Sequence, residues 1–167
     1  MFKKHAHCSY CGGAFAEDQP WPRRCAACGN TSYLNPTPVA VVLLPVDGGL
    51  LMVRRSIPPH TGKLALPGGY INLGETWQEA GARELLEETG IAIDPQELRE
   101  LRVLSAPEGM ILIFGLARPR RLAELPPFQP TAEVSECIVG GPAEEIAFEL
   151  HRQVAAEFFS GSRAPVV

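Results

Sequence analysis

Apolar runs of strand length and two long helical segments, separated by Gly- and Pro-containing breaks, divide the chain. Residues 39–46 form an apolar run interrupted only near its end by Pro45. Asp47-Gly48-Gly49 is a turn signal and residues 50–55 read as the return strand, which predicts a hairpin. Residues 56–63 carry Pro58, Pro59 and Gly62 and read as a loop. Residues 64–66 make a short strand running into Pro67-Gly68-Gly69. Residues 76–89 contain no proline and are rich in helix formers, with Gly90 placed to stop them. Residues 91–95 are extended and 95–100 form a helical turn. Residues 101–105 and 110–117 read as strands about a turn at 106–109, 118–130 as a proline-rich loop, and 134–139 as another strand. Residues 142–159 predict a second long helix, with Pro142 first and Ile146, Leu150, Val154 and Phe158 on one apolar stripe. The tail from Gly161 reads as loose.

The first helix carries a charge pattern that an isolated helix should avoid. Glu84 lies three and four residues before Glu87 and Glu88, so helical geometry puts all three carboxylates on one side. Like charges at that spacing repel by roughly 0.2–0.5 kcal/mol per pair. A bound cation relieves the repulsion, and clustered carboxylate oxygens are what Mg²⁺ or Mn²⁺ prefers. The glycines ahead of the helix let backbone approach a ligand closely, and a helix start favours phosphate. The alternative is a solvated acidic face balanced by Glu79–Arg83 and Arg83–Glu87 pairs.

The N-terminal stretch follows a different logic. Cys8-x2-Cys11 and Cys25-x2-Cys28 are separated by 13 residues, and a glycine follows each pair, Gly12 and Gly29. Four thiolates in two tight turns match a closed tetrahedral Zn²⁺ site. So short a segment cannot build its own core, and the ion would hold it together. His5 and His7 read as surface residues. Asn35 to Pro38 form a linker, which divides the chain into residues 1–34 and 35–167.

Composition narrows the class. The 167 residues are 46 % hydrophobic and 20 % charged, with a net charge of −4. An acidic balance argues against a general nucleic-acid binder, although Lys3, Lys4, Arg23 and Arg24 gather near the cysteines, offset by Glu17 and Asp18. No apolar run reaches the roughly 18 residues of a membrane span. The polar start predicts a cytoplasmic protein. Cys137 stands apart in a strand and reads as a buried small apolar residue.

Gly69, five residues, Glu75, seven residues, then Arg83-Glu84-Leu85-Leu86-Glu87-Glu88-Thr89-Gly90-Ile91 match the Nudix box at each defining position. The chain therefore resembles the Nudix hydrolase superfamily, which cleaves nucleoside diphosphates linked to another moiety. The resemblance implies an α/β fold, an α/β/α sandwich with a mixed sheet, here preceded by a small zinc ribbon. It implies that Glu84, Glu87 and Glu88 bind the divalent ions and that a further acidic residue joins from beyond the box. Glu136 is the first choice for this and Glu133 the second; the alternative for both is a solvated loop carboxylate. Arg83 either orients the glutamates or contacts phosphate. Glu75 suits the helix dipole. Gly68 or Gly69 offers a backbone carbonyl to an ion. One of Arg54 and Arg55 faces inward and is a candidate phosphate clamp, the other reading being exposed charge. Leu85, Leu86 and Ile91 read as core.

The ribbon-plus-box arrangement is similar to pyrophosphatases acting on NADH, FAD or ADP-ribose. Where the NADH enzymes carry an S-Q-P-W-type array, this chain reads Ser105-Ala106-Pro107-Glu108-Gly109-Met110, with Gln and Trp absent. The expected substrate is thus a small-molecule nucleotide diphosphate of the NAD(H), FAD or ADP-ribose class. A nucleoside triphosphate pyrophosphohydrolase and a nucleotide sensor without turnover are the alternatives. By the same resemblance a homodimer is expected.

Overall fold

The computed structural model describes residues 4–107 and 109–161. Lys3, Glu108 and the tail beyond Gly161 lie outside the described residues. The chain divides into two compact units, Met1–Pro36 and Thr37–Val167.

In the first unit β1 (Arg23–Arg24) pairs antiparallel with β2 (Thr31–Ser32). The two cysteine turns have the same build. Gly12 N–H donates to the Cys8 carbonyl and Gly29 N–H to the Cys25 carbonyl, both at 2.9 Å. Gly12 and Gly29 take φ values of 73° and 72°. That left-handed conformation is strained for other L-residues, which explains glycine after each CxxC. The Arg23 guanidinium lies 4.7 Å from the Trp21 ring centre and 5.7 Å from that of Phe15. His5 and His7 are exposed, as expected.

The second unit contains β3 (Thr37–Leu43), β4 (Pro45–Val46), β5 (Gly49–Arg55), β6 (Leu64–Ala65), β7 (Gly68–Tyr70), α1 (Trp77–Thr89), β8 (Arg99–Ala106), β9 (Met110–Leu116), β10 (Val134–Gly140) and α2 (Glu149–Phe159). The strands form two hydrogen-bonded sheets, β10-β5-β4 with β6 on β5, and β7-β3-β9-β8. β3 and β9 run parallel and the other ladders antiparallel, so the architecture is mixed α/β. The expected hairpin forms only at its turn end, where Pro45 pairs with Leu50 and Val46 with Gly49 across Asp47-Gly48; the rest of the first run, β3, leaves it to pair with β7 and β9 in the other sheet.

The continuous apolar runs of β3 and β5 follow from burial on both faces. Val41, Leu43, Leu50 and Met52 pack into one cluster with Phe114, Val154 and Ala155, on the α2 side. Their alternate neighbours Val42, Leu44 and Leu51 join Leu85, Ile91 and Leu98 on the α1 side. No helix among the described residues is long and apolar enough to cross a membrane.

Three further expectations need correction. The second helix begins at Glu149, not at residue 142. Ile146 makes a parallel bridge to Leu64, and the Ala147 N–H donates to the Leu64 carbonyl at 2.8 Å, so this segment serves the sheet instead. The glycine stretch is a strand, with Gly69 opposite Ala40 and Gly68 opposite Val41. Leu86 is 48 % exposed, whereas Leu85, about 100° away around the helix, is fully buried.

Candidate metal and diphosphate site

α1 begins at a reciprocal cap. Thr76 Oγ1 accepts from the Glu79 N–H at 3.2 Å, and a Glu79 carboxylate oxygen accepts from the Thr76 N–H at 2.7 Å. Glu79 is therefore occupied at the cap and does not pair with Arg83. Gly90 ends the helix at φ 77°, its N–H donating to the Leu86 carbonyl.

Arg83 joins the helix to the loop before it. Its Nε and Nη2 donate to the two oxygens of Glu75 at 2.6 and 3.1 Å, a bidentate pair. Nη2 also donates to the Tyr70 carbonyl at 2.9 Å. Nη1 donates to Glu84 at 2.7 Å and Glu87 at 3.1 Å. The Arg83 hydrogen bonds and an Asn72 N–H hold the Glu75 carboxyl down at about 2. The same bonds push the Arg83 pKa up.

Glu88 points inward. Only 9 % exposed, it accepts from the Gly68 N–H at 3.0 Å. Burial, foremost, raises its pKa to about 8; the charges of Glu84 and Glu133 push the same way, and the Gly68 N–H and Arg55 oppose them. Glu84 is raised as well, by burial first, with Arg83 opposing and Glu87 and Glu133 adding to the rise. Gly69 makes room for Glu84: a methyl at Gly69 would lie 2.7 Å from one Glu84 oxygen and closer to the other.

Residues expected from beyond the box fall on two faces. Glu136 pairs across β5 with Arg54, its carboxylate taking the Arg54 Nε–H at 2.7 Å. Its neighbour Cys137 pairs with Val53 and packs with the α1-side residues. Alternation therefore turns Glu136 away from α1, which is a correction to its first-choice place beside the box. The cause is a β-bulge between Val134 and Glu136 that inserts Ser135. Glu133, just before the bulge, is the acid whose charge reaches both Glu84 and Glu88. Two bonds hold its backbone: its carbonyl accepts from the Ser56 N–H at 2.7 Å and its N–H donates to Thr131 Oγ1 at 3.2 Å.

Of the two arginines, Arg55 is the one whose charge reaches Glu88. Its Nε donates to the Pro59 carbonyl at 2.8 Å and its guanidinium lies 5.1 Å from the Phe148 ring centre. Arg54 is turned to Glu136 and the Gly62 carbonyl. His151 carried no signal in the sequence. It is buried between Phe114 and Phe148, and its Nδ1 accepts from the Leu66 N–H at 3.3 Å. Burial, with the Arg55 charge, pushes its pKa down to about 3.

The donor sets differ in how closed they are. The sulfurs of Cys8, Cys11, Cys25 and Cys28 all lie within 4.8 Å of one another. Cys8 accepts the Tyr10 N–H and is lowered to about 6, while Cys11 is raised to about 12 by its sulfur neighbours. Four sulfurs converging from two tight turns, with the Tyr10 and Gly13 N–H groups donating to Cys8 and Cys11, are a set a soft, tetrahedral cation fits. Glu84, Glu87 and Glu88 are more open, because Arg83 draws the first two while the Gly68 N–H holds the third. A buried and a half-buried carboxylate, each raised first by burial and further by the charge of Glu133, fit a hard divalent cation.

The NUDIX domain model matches residues 34–159. A protein named NAD-capped RNA hydrolase NudC from Edwardsiella ictaluri is 32 % identical over 94 residues, 56 % of this chain and 36 % of that protein. One named ADP-ribose pyrophosphatase from Methanocaldococcus jannaschii is 38 % identical over 76 residues, 46 % of this chain and 44 % of that protein. The chain thus spans less than half the length of either relative. The crystal structure of a NUDIX hydrolase from Nitrosomonas europaea superimposes with a TM-score of 0.76 at 29 % identity, covering 93 % of this chain and 91 % of that one. The box helix, the glycine strand laid against β3 and the matched span together place it: the chain belongs to the NUDIX domain family.

Proposed function

We propose that the chain is a divalent-cation-dependent hydrolase that cleaves the phosphoanhydride bond of a nucleoside diphosphate linked to another moiety. The observation that carries this reading is the pair Glu84 and Glu88, both raised in pKa, facing Gly68 and Gly69 with no room for a side chain between. Glu84, Glu87, Glu88 and Glu133 would hold Mg²⁺ or Mn²⁺, with Glu133 taking the place first expected of Glu136. When bound, such an ion supplies charge neutralisation for the diphosphate and acidifies a water. Arg83, tied to Glu75 and Tyr70, acts as a positioning residue for Glu84 and Glu87. Glu133, on a loop rather than on α1, is the residue best placed to take a proton from water. Arg55 offers positive charge on the Glu88 side. Zn²⁺ at Cys8, Cys11, Cys25 and Cys28 would be structural.

The substrate class is NAD(H), FAD or ADP-ribose; the names of two relatives, an NAD-capped RNA hydrolase and an ADP-ribose pyrophosphatase, support its NAD-linked and ADP-ribose members. The test is product analysis with Mg²⁺ or Mn²⁺ on these compounds, diadenosine polyphosphates and nucleoside triphosphates, with Glu88→Gln alongside. Metal-dependent mononucleotide release that disappears in the variant is the expected result. Tight nucleotide binding without turnover of any compound would replace the hydrolase reading with that of a sensor.

A further inference from the structure

A cavity of about 310 Å³ opens in the second unit on the α1 side of the β10–β5 ladder. Leu51, Ile91, Leu125, Phe128, Cys137 and Val139 provide its walls, and no charged side chain lines it. Its polar side chain, Thr89, is already engaged: the hydroxyl donates to the Leu85 carbonyl and accepts from the Ile91 N–H. A sugar or a charged group placed here would leave its hydrogen bonds unmade, at a cost of about 1–3 kcal/mol per group. A flat ring whose faces meet the apolar walls, with its polar edge left at the solvent-open mouth of the groove, would not. The volume is at the low end of small-molecule pockets, roughly 300–1,000 Å³, which suits one ring system and not a whole nucleotide.

Its position relates it to the carboxylates. Thr89 directly follows Glu88 in the chain, and Cys137 lies within electrostatic reach of Glu88. The outer wall is held in place. The Leu122 N–H donates to Asp47 at 3.0 Å, the Arg121 N–H to Glu124 at 3.3 Å, and Pro126-Pro127 stiffens the segment that carries Phe128. A wall already ordered lowers the entropy lost on binding.

We propose that this groove is the subsite for one heteroaromatic ring of the substrate, beside a diphosphate that divalent cations would hold at Glu84, Glu88 and Glu133. The inference rests on the hydrolase reading and adds to it which half of the molecule is recognised by apolar contact. It predicts that the base contributes affinity here without base-specific hydrogen bonds, so adenine and flavin rings are both accepted.

The test compares AMP with ribose 5-phosphate, which differ by the base alone, in calorimetric titrations of the zinc-loaded protein with Mg²⁺. AMP should bind about tenfold or more tightly than ribose 5-phosphate. Leu125→Arg, which puts a charge in the groove, and Cys137→Phe, which fills it, should each remove that difference while leaving ribose 5-phosphate binding unchanged. Thermal midpoints identify a variant that fails to fold, in which case the other decides. A base-dependent difference that survives in the folded variants, or its absence from the wild type, overturns the subsite. Turnover on the same preparations separates the two readings. Hydrolysis without base-dependent binding at the groove removes the subsite and leaves the enzyme; groove-dependent binding without hydrolysis removes the enzyme.

Discussion

Two adjacent glycines should fail in opposite ways when given a methyl group. At Gly69 the added carbon would meet the Glu84 carboxylate, with one oxygen at 2.7 Å. That is the free end of a flexible side chain, and Gly69 is absent from the positive-φ glycines. The carboxylate must retreat by about 1 Å to reach ordinary van der Waals contact. Stability should change little: one Arg83–Glu84 hydrogen bond weakens by about 1 kcal/mol, and loss of glycine freedom in the unfolded chain offsets about 0.4–1 kcal/mol. A displacement of that size at a reacting centre costs about 100-fold in rate. At Gly68 the methyl would lie 2.8 Å from the Val41 Cα and press on the Ala40 carbonyl, backbone of β3 that is paired on both sides, with β7 and β9. Gly68→Ala should therefore lose roughly 3 kcal/mol of stability. The assay is kcat/KM on the best substrate beside the urea midpoint for both variants. Gly69→Ala with more than about a third of wild-type kcat/KM, or with a stability loss equal to that of Gly68→Ala, would refute the reasoning.

Other outcomes follow from charge. Glu88, raised from an ordinary value near 4.5 to about 8, keeps a proton in the fold that the unfolded chain has lost. In divalent-free buffer its contribution to stability therefore falls as pH rises from 4.5 to 8, and Glu88→Gln should be inactive yet more stable at pH 8, by roughly 4 kcal/mol in urea. Equal stability would mean the buried charge is already compensated. His151 has the opposite sign: depressed from 6.5 to about 3, it stabilises fully above pH 6.5 and loses about 1.4 kcal/mol per unit as pH falls below that. The gap between wild type and His151→Gln should accordingly shift by about 2 kcal/mol between pH 6.5 and 5, and a constant gap would contradict its burial as the neutral form. Chelation of the ribbon ion should make Cys8, Cys11, Cys25 and Cys28 newly reactive towards a thiol reagent, counted by peptide mapping; reactivity before chelation would argue against zinc there.

Local chemistry made much of this legible. Thr76 and Gly90 bound α1 because capping depends on neighbours a few residues away. The cysteine turns are legible for the same reason. Misreadings came from long-range pairing. Residues 142–148 look helical in isolation, yet Ile146 and Ala147 are taken up by Leu64, more than 80 positions earlier. Gly68 and Gly69 resemble loop residues because a strand of glycines has no side-chain pattern; only Ala40 and Val41, which they lie against, reveal it. His151 is silent in sequence because its acceptor role depends on Leu66 and two distant phenylalanines. The candidate site followed the same division: the box stood out as a whole, whereas the sequence put Glu136 ahead of Glu133 because nothing local marks the bulge that sets them on different faces.

Ser135 bears on how relatives of this chain are to be aligned. Simple alternation from Val134 would assign Glu136 to the α1 side, and the extra residue reverses that assignment. Distances counted along the chain from the box therefore cannot identify the outlying acid. The count has to restart on each side of the bulge, with Glu133 numbered from Arg55 and Glu136 from Arg54. A gap opposite Ser135 in a homologue would preserve every facing residue on both sides. A gap at Ile138 would invert the strand. Deletion of Ser135 should accordingly be the single-residue loss in β10 that leaves the Val134–Arg55 and Glu136–Arg54 pairings, and the faces they set, unchanged.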